Sequence, residues 1–581
     1  MKYNTTRKLK KLEATKVDSM AKTMHQLLVR DLRGNSMRVL PADAAAYVTT
    51  CQNTAFLKKF LFSGTEIGLR EKSFLLFDKV NSHMLEHRVE LPVQTRLSAN
   101  NDEYDSVLLR ARQICHELLT PLGEDEFFLS CKNSSGTSLG VPFSDTSIES
   151  KFSFPITVTR DALPFLGSYL AYDKELSLAV VNYNSTRKWE KVFEVVDGSR
   201  ATTVPKNNDI DRMIAVEPTG NMFLQQGLMR CLYKRMDRWS LSVDSLPDRH
   251  KAMARMASIY RNFATIDFSS ASDCLSIKLL KYLLPSTWFS VLNSVRCSHM
   301  SFNDTLKKLN MFSTMGNATT FPLETIVFYS LALASDIYTR NPRAPAFICY
   351  KPLMRNVSVF GDDCIVPTAS APLFMRMAVK VGFLVNIDKS FFLENDGFRE
   401  SCGGDYLRGQ DVRPFNLKRP ATTKISSIES WLYTVCNAIL EKYRMYFGSL
   451  TYLYDKHVLR YLFSLFRRYD LYIKIVPPDY PEDSGLRSLD LTRLQQTYDL
   501  SFSKLQVDKH GSVSFLYKRF IYRSKKAHDD HIRYATAQKQ CALCSYYSSK
   551  SRPTPERIPF VPIRRIGGYV VARGHSAHWA P

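Results

Sequence analysis

Residues 356–367 read Asn-Val-Ser-Val-Phe-Gly-Asp-Asp-Cys-Ile-Val-Pro, two short β-branched runs with Gly361-Asp362-Asp363 set between them. Val, Ile and Phe favour strands, whereas Gly and Asp tolerate the positive φ of a tight bend. The pattern therefore predicts a hairpin with adjacent carboxylates thrust out at its turn. Two side-by-side carboxylates are a seat for a divalent cation. Taken alone, the tripeptide also reads as a turn and nothing more.

A second carboxylate constellation lies upstream, in Asn262-Phe-Ala-Thr-Ile-Asp-Phe-Ser-Ser-Ala-Ser-Asp273. Its apolar run predicts a strand that delivers Asp267 at its end. Mg²⁺ takes oxygen ligands and keeps several waters, so a nucleotidyl-transfer site needs few protein carboxylates and borrows its other ligands from substrate phosphates. Asp267, Asp362 and Asp363 suffice for a two-metal Mg²⁺ site, with Mn²⁺ as a possible substitute. Such a site activates the attacking hydroxyl and steadies the leaving pyrophosphate in an in-line displacement.

The succession of Asp267 to Asp273, then Phe312-Ser-Thr-Met-Gly-Asn-Ala-Thr-Thr-Phe-Pro-Leu-Glu324, then Phe360-Gly-Asp-Asp363 resembles motifs A, B and C of RNA-directed RNA polymerases. More narrowly, it resembles the replicase subunit of the small RNA bacteriophages, the leviviruses. Thr203-Val-Pro-Lys-Asn207, Asp211-Arg-Met-Ile-Ala-Val-Glu-Pro218 and Asn221-Met-Phe223 are similar to that family's basic fingers motif. Phe398-Arg-Glu-Ser-Cys-Gly403 is similar to its motif E. The likeness runs from about residue 200 to 420 and departs from the wider polymerase pattern in motif B. Met315 and Glu324 stand where Ser and Asn are common, and Ala318 and Pro322 where the phage replicases commonly have Gly and Glu.

The resemblance implies an α+β right-hand polymerase. Residues 1–125 would contribute to fingers and thumb packing, 126–259 would form fingers with the basic nucleotide motif, 260–420 a palm and 421–581 a thumb with a basic C-terminal region. It further implies replication of a viral single-stranded RNA genome from template RNA and ribonucleoside triphosphates, without a primer. Host translation elongation factors Tu and Ts and ribosomal protein S1 are its implied partners, in the cytoplasm of a bacterial host.

By the same resemblance Asp273 helps recognise the ribose 2′-hydroxyl; its alternative is a helix N-cap before Cys274. Gly316 permits close backbone approach, and Asn317 and Thr320 offer hydrogen bonds near the sugar. Lys206 and Arg212 neutralise the triphosphate, or else form surface salt bridges. Lys389, in Asn386-Ile-Asp-Lys-Ser390, resembles a motif D lysine that protonates pyrophosphate.

The chain's 581 residues exceed what one core fills, and 79 basic against 56 acidic residues leave +23, which suits a polyanion partner, nucleic acid before membrane surface. No run of about 18 uninterrupted apolar residues occurs, which predicts no membrane span. The 12 cysteines lack the regular spacing of a disulfide scaffold. Cys541 and Cys544, with His575 and His578, form a candidate zinc set of short His spacing. From Phe515 onward, Lys518, Arg519, Arg523 and later cations interleave with Tyr517, Phe520 and Tyr522, a pattern that suits unpaired RNA or a solvated basic tail.

Helical patterns are expected at Met20–Leu32, Leu323–Tyr338, Ala371–Gly382, Ile425–Phe447 and Tyr452–Tyr469, and β-rich runs at Phe152–Val158 and Leu176–Tyr183. Two other functions compete. A reverse transcriptase shares the paired carboxylates, but polar Ser272 and Asp273 stand where a bulky aromatic would exclude ribose. A noncatalytic RNA-binding protein explains the charge and leaves the three aspartates idle.

Overall fold

A computed structural model describes residues 11–487 except 34–36, 38, 65–67, 94–95, 98–100, 135, 142–145, 147–150, 153–154, 175–176, 179, 181–191, 346–347, 394–395 and 449–455. It also describes 506–507, 513–522 and 567–576. The elements that position the site are, in order, α1 (Ala14–Arg33), α2 (Glu103–Leu118), β1 (Ser199–Pro205), β2 (Asp211–Val216), α3 (Thr219–Arg238) and α4 (Leu246–Tyr260). There follow β3 (Phe263–Ile266), α5 (Thr320–Arg340), β4 (Ser358–Phe360), β5 (Asp363–Pro367), β6 (Phe398–Ser401), β7 (Gly404–Leu407), α6 (Ile425–Phe447) and α7 (His457–Arg468). Helices and largely antiparallel sheets make an α+β fold.

The small central sheet has the order β3-β5-β4, antiparallel throughout, with Cys364 opposite Ile266 and Asp363 opposite Phe360. Beneath it runs α5, buried on every side from Thr320 nearly to its end, as a helix apolar all round must be. A second sheet pairs β1 with β2 as a hairpin, Val204 opposite Arg212, and joins β1 in parallel to His299–Phe302. A third, β6-β7 with Gln410–Asp411, packs against α4.

Two hydrophobic cores result. The first gathers buried residues from Phe77 to Phe383, including Ile266, Phe328, Val359 and Cys364. The second unites α1, the chain near Phe56 and Phe60, Phe398 of β6, and helices α6 and α7. The chain therefore changes core twice, between Phe60 and Phe77 and again between Phe383 and Phe398, at the approach to β6.

The helical expectations fall on helices Ala14–Arg33, Thr320–Arg340, Ala371–Lys380, Ile425–Phe447, which matches in both bounds, and His457–Arg468, residues 452–455 of the last expectation lying outside the described residues. The β-rich expectation for the fingers region needs revision. Ile156–Thr159 is a strand, paired in parallel with Phe193–Val196, but the helix Leu163–Tyr172 follows it. Pro164 in the first turn and Leu166 and Tyr169 buried at i, i+3 spacing favour that helix. The expected run Leu176–Tyr183 is corrected as well: its described residues Ser177, Leu178 and Val180 are helical, and the rest lies outside the described residues. Among the described residues no helix is long and apolar enough to cross a membrane.

In the C-terminal region, Lys518 is not free for phosphates. Its ammonium is buried against Glu429 Oε2 at 2.6 Å and donates to the Ser426 carbonyl at 2.7 Å, while Tyr517 lies edge-on to Tyr480. Most of the remaining basic tail, and the side chains of Cys541, Cys544, His575 and His578, lie outside the described residues.

Candidate active site

The β4–β5 turn consists of Gly361 and Asp362. Gly361 has φ +63 and Asp362 has no positive φ, the pattern of a II′ hairpin turn, which wants glycine first. A Cβ on Gly361 would meet the Phe321 ring at 2.8 Å, and its N–H donates to Thr325 Oγ1 at 3.0 Å. Helix α5 thus presses directly on the turn, leaving Asp362 exposed at its tip and Asp363 half-buried as the first residue of β5.

Asp267 follows β3, the neighbour of β5, and faces the same turn. Its carboxylate accepts from Asn386 Nδ2 at 2.7 Å and lies 3.8 Å from Lys389 Nζ; its carbonyl accepts from the Asn386 N–H at 2.9 Å. Desolvation by the surrounding groups and then Asp267 raise the pKa of Asp362, with Arg212 and Lys389 opposing. Asp363 is pushed up to about 6 by burial first and Asp362 second, while the Cys402 N–H holds it down. Asp363 turns toward β6, accepting from Ser401 Oγ at 3.4 Å.

Among the described residues, no three His, Cys, Asp or Glu side chains are grouped to hold an ion unaided. Asp267 and Asp362 nevertheless suit a hard divalent cation. Both offer oxygen, and their mutual repulsion is what a cation relieves. The remaining ligands of such an ion would be water and substrate phosphate.

Cations border this pair. Arg212 lies on β2, and Lys206 begins the loop between β1 and β2, a loop turned by Asn207 Oδ1 accepting from the N–H groups of Asp209 and Ile210. Although Lys206 reaches solvent, partial desolvation and then Arg212 and Lys389 hold its pKa below the usual lysine range, while Asp362 and Asp267 pull it up. Lys206, Arg212 and Lys389 thus share one field with the two carboxylates.

The loop that carries Met315 and Gly316 is fastened to β2. Ala215 N–H of β2 donates to the Met315 carbonyl at 2.7 Å, and Gly316, at φ +114, approaches so closely that a Cβ would lie 2.1 Å from the Ala215 carbonyl oxygen. Asn317 and Thr320 are buried and hold the loop: Asn317 Oδ1 accepts from Thr319 N–H at 2.8 Å, and Thr320 Oγ1 donates to the Thr314 carbonyl at 2.8 Å. Asp273 does not cap a helix. Ser276 Oγ accepts from Leu279 N–H at the start of helix Ile277–Leu283, leaving Asp273 in the preceding 3-10 turn with one buried carboxylate oxygen unpartnered. Burial pushes Asp273 up to about 7, against the Met315 backbone and Arg212. Beside it, Glu324 is buried in α5 and lifted well above the usual range by burial and by Asp362, Asp273 and Asp363.

Sequence reasoning did not single out Asn386, which grips Asp267, nor Gln225, whose amide joins Glu217 at 3.0 Å to the Ala318 N–H at 3.3 Å. Asn386 had a signal, its place three residues before Lys389. Gln225 had none, since one glutamine in a helical pattern looks like a surface residue.

A family model described as RNA replicase, beta-chain, matches residues 86–442. The RNA-directed RNA polymerase beta chain of Enterobacteria phage fr is 33% identical over 301 residues, 52% of this chain and 52% of the relative. That of Escherichia phage MS2 is 34% identical over 297 residues, 50% of each. The chain spans about half the length of these curated relatives. A crystal structure of the RNA-dependent RNA polymerase of a human picorbirnavirus aligns over 77% of this chain and 82% of that one, with TM-score 0.45 and 12% identity.

Proposed function

Because this chain belongs to the RNA replicase beta-chain family, we propose that it is an RNA-directed RNA polymerase that copies single-stranded RNA from ribonucleoside triphosphates. The observation that carries the reading is the meeting of Asp267 and Asp362 at the β4–β5 turn within the field of Lys206, Arg212 and Lys389.

In this reading Asp267 and Asp362 hold Mg²⁺, or Mn²⁺ in its place, and Asp363 supports the second ion or the primer end. The metal supplies Lewis acidity at the phosphoryl group and a more acidic attacking hydroxyl. Lys206 and Arg212 neutralise the triphosphate and the charge that grows on departing pyrophosphate, and do so without reorganising because they already face the carboxylates. Lys389, 3.8 Å from Asp267, is poised to give a proton to that pyrophosphate. Asp273 and its neighbour Glu324 read the sugar, while Gly316 brings the motif B backbone close. Residues 126–259 serve as fingers, 260–420 as palm and 421–581 as thumb. Initiation is primer-independent, and host translation elongation factors Tu and Ts with ribosomal protein S1 are the expected partners in the bacterial cytoplasm.

The test is Mg²⁺-dependent incorporation of labelled ribonucleotide on an RNA template, with the chain co-expressed beside bacterial elongation factors. Asp362→Asn keeps the shape of the turn and removes its charge, so we expect a loss of about a thousandfold or more, roughly 4 kcal/mol of barrier. Near-normal incorporation by this variant would refute the assignment. Preference for deoxyribonucleotides would point to a reverse transcriptase, and tight RNA binding without pyrophosphate release to a noncatalytic binder.

A further inference from the structure

We infer that His250 is a positioning residue for this reaction: its imidazole bolts β4 to β6 and, through Ser401, fixes the carboxylate of Asp363. This rests on the polymerase reading above. His250 lies in α4 and is fully buried. Its Nδ1 stands 2.8 Å from Ser401 Oγ on β6, and its Nε2 stands 2.9 Å from Ser358 Oγ on β4. Ser401 Oγ in turn donates to Asp363 Oδ1 at 3.4 Å.

The directions of these bonds follow from one another. The Asp363 carboxylate oxygen accepts, so the Ser401 hydroxyl spends its single proton on it. Ser401 Oγ can then only accept from His250, which assigns the ring proton to Nδ1. Nε2 is left bare and takes the hydroxyl proton of Ser358. Burial pushes the ring's pKa down to about 3, so one proton and one bare nitrogen is its resting state.

The placement gives the ring its purpose. Strand β4 belongs to the β3-β5-β4 sheet and the first core, whereas β6 belongs to another sheet and carries Phe398 into the second core. Strand β6 is also tied to β3 by Arg399 Nε, which donates to the Phe263 carbonyl at 2.7 Å. Cys402, at φ +45 in the turn after β6, supplies the backbone donor to Asp363. His250 thus holds the strand that holds Asp363.

The experiment uses the full chain as His250→Phe, His250→Gln, Ser401→Ala and the double variant His250→Phe/Ser401→Ala. Incorporation on a short synthetic RNA template is resolved into kcat and nucleotide KM. Mn²⁺ affinity without RNA or nucleotide is read from the EPR signal of the free ion. Loss of a group that orients a metal ligand typically costs about 10- to 100-fold in affinity or activity. We expect a kcat loss of that size with KM unchanged and weaker Mn²⁺ binding in His250→Phe and in Ser401→Ala. The double variant should be no worse than the worse single one, and Gln, which keeps a donor and an acceptor, should recover part of the loss. Unchanged kcat and Mn²⁺ affinity, or losses that multiply in the double variant, would overturn the inference. If His250→Phe does not fold, Ser401→Ala and His250→Gln decide by the same criteria. An unvaried chain that incorporates nothing even when co-expressed with the elongation factors sinks the polymerase reading; the Mn²⁺ titration then decides on His250 by itself.

Discussion

Asp273 couples the chemistry of the site to the stability of the chain. Its pKa near 7 in the fold exceeds that of an unfolded aspartate, about 3.9, so between these values the folded state binds more protons. The favourable contribution of the protonated group is therefore complete on the acid side and is lost as pH rises through about 7. Asp273→Asn removes the titration. At about 1.4 kcal/mol per pKa unit, trimmed for the partial access of solvent to the side chain, it should raise stability at pH 8 by on the order of 1–3 kcal/mol and by nothing near pH 4. Urea midpoints at the two pH values measure this, and an equal gain at both would assign the effect to packing instead of charge. A gain in stability together with poorer ribose discrimination is what a strained sugar-reading group predicts, because such sites hold a cost that selection on activity retains.

At the scale of elements, the β2 strand and the motif B loop act as one unit, closed by the Ala215–Met315 hydrogen bond and by Gly316 against the Ala215 carbonyl. Gly316→Ala adds a methyl group where φ is +114 and backbone is already in the way, so it should cost about 2–4 kcal/mol from strain and overlap together. Gly64→Ala is the control. It shares a positive φ, +86, but a Cβ there meets nothing within 4 Å, so its cost stays near the roughly 1–2 kcal/mol of the left-handed conformation alone. Thermal denaturation of the two variants separates these terms; equal losses would mean that β2 yields freely. The contrast also marks how far the sequence was legible. The β4–β5 hairpin, the strand ending at Asp267 and helix Ile425–Phe447 are written in local period and turn chemistry, and they could be read as such. The Asn386 grip on Asp267 spans 119 residues and the His250 bond to Ser401 spans 151, and contacts between distant segments leave no mark on a local pattern. Helix Leu163–Tyr172 was missed for a different reason: aromatic and β-branched neighbours outweighed the short i, i+3 apolar stripe.

For the whole molecule, the division into two cores puts the chain's amino end and its later helices in one folding unit. Asp31 of α1 is the joint. Fully buried, it accepts from the His457 and Val458 N–H groups at 2.9 and 3.0 Å, from His457 Nδ1 at 2.8 Å and from Tyr443 Oη at 3.0 Å. A carboxylate from α1 thereby satisfies the first free N–H groups of α7 and complements its positive end, more than 400 residues along the chain. The first core holds β3, β4 and β5, and β6 links the second core to them through its ties to Asp363, His250 and the Phe263 carbonyl. Asp31→Ala strands several buried donors at once and should cost about 3 kcal/mol. With two cores of this size, unfolding need not be a single step, and the loss should fall on one of them. Scanning calorimetry is expected to resolve two transitions, with Asp31→Ala lowering the one that belongs to α1, α6 and α7 and leaving the other in place. A single transition that shifts as a whole would mean that β6 and its hydrogen bonds bind the two cores into one cooperative body. In that case His250, which bonds both sides of the boundary, would be a stability residue for the entire chain as well as a positioning group for Asp363.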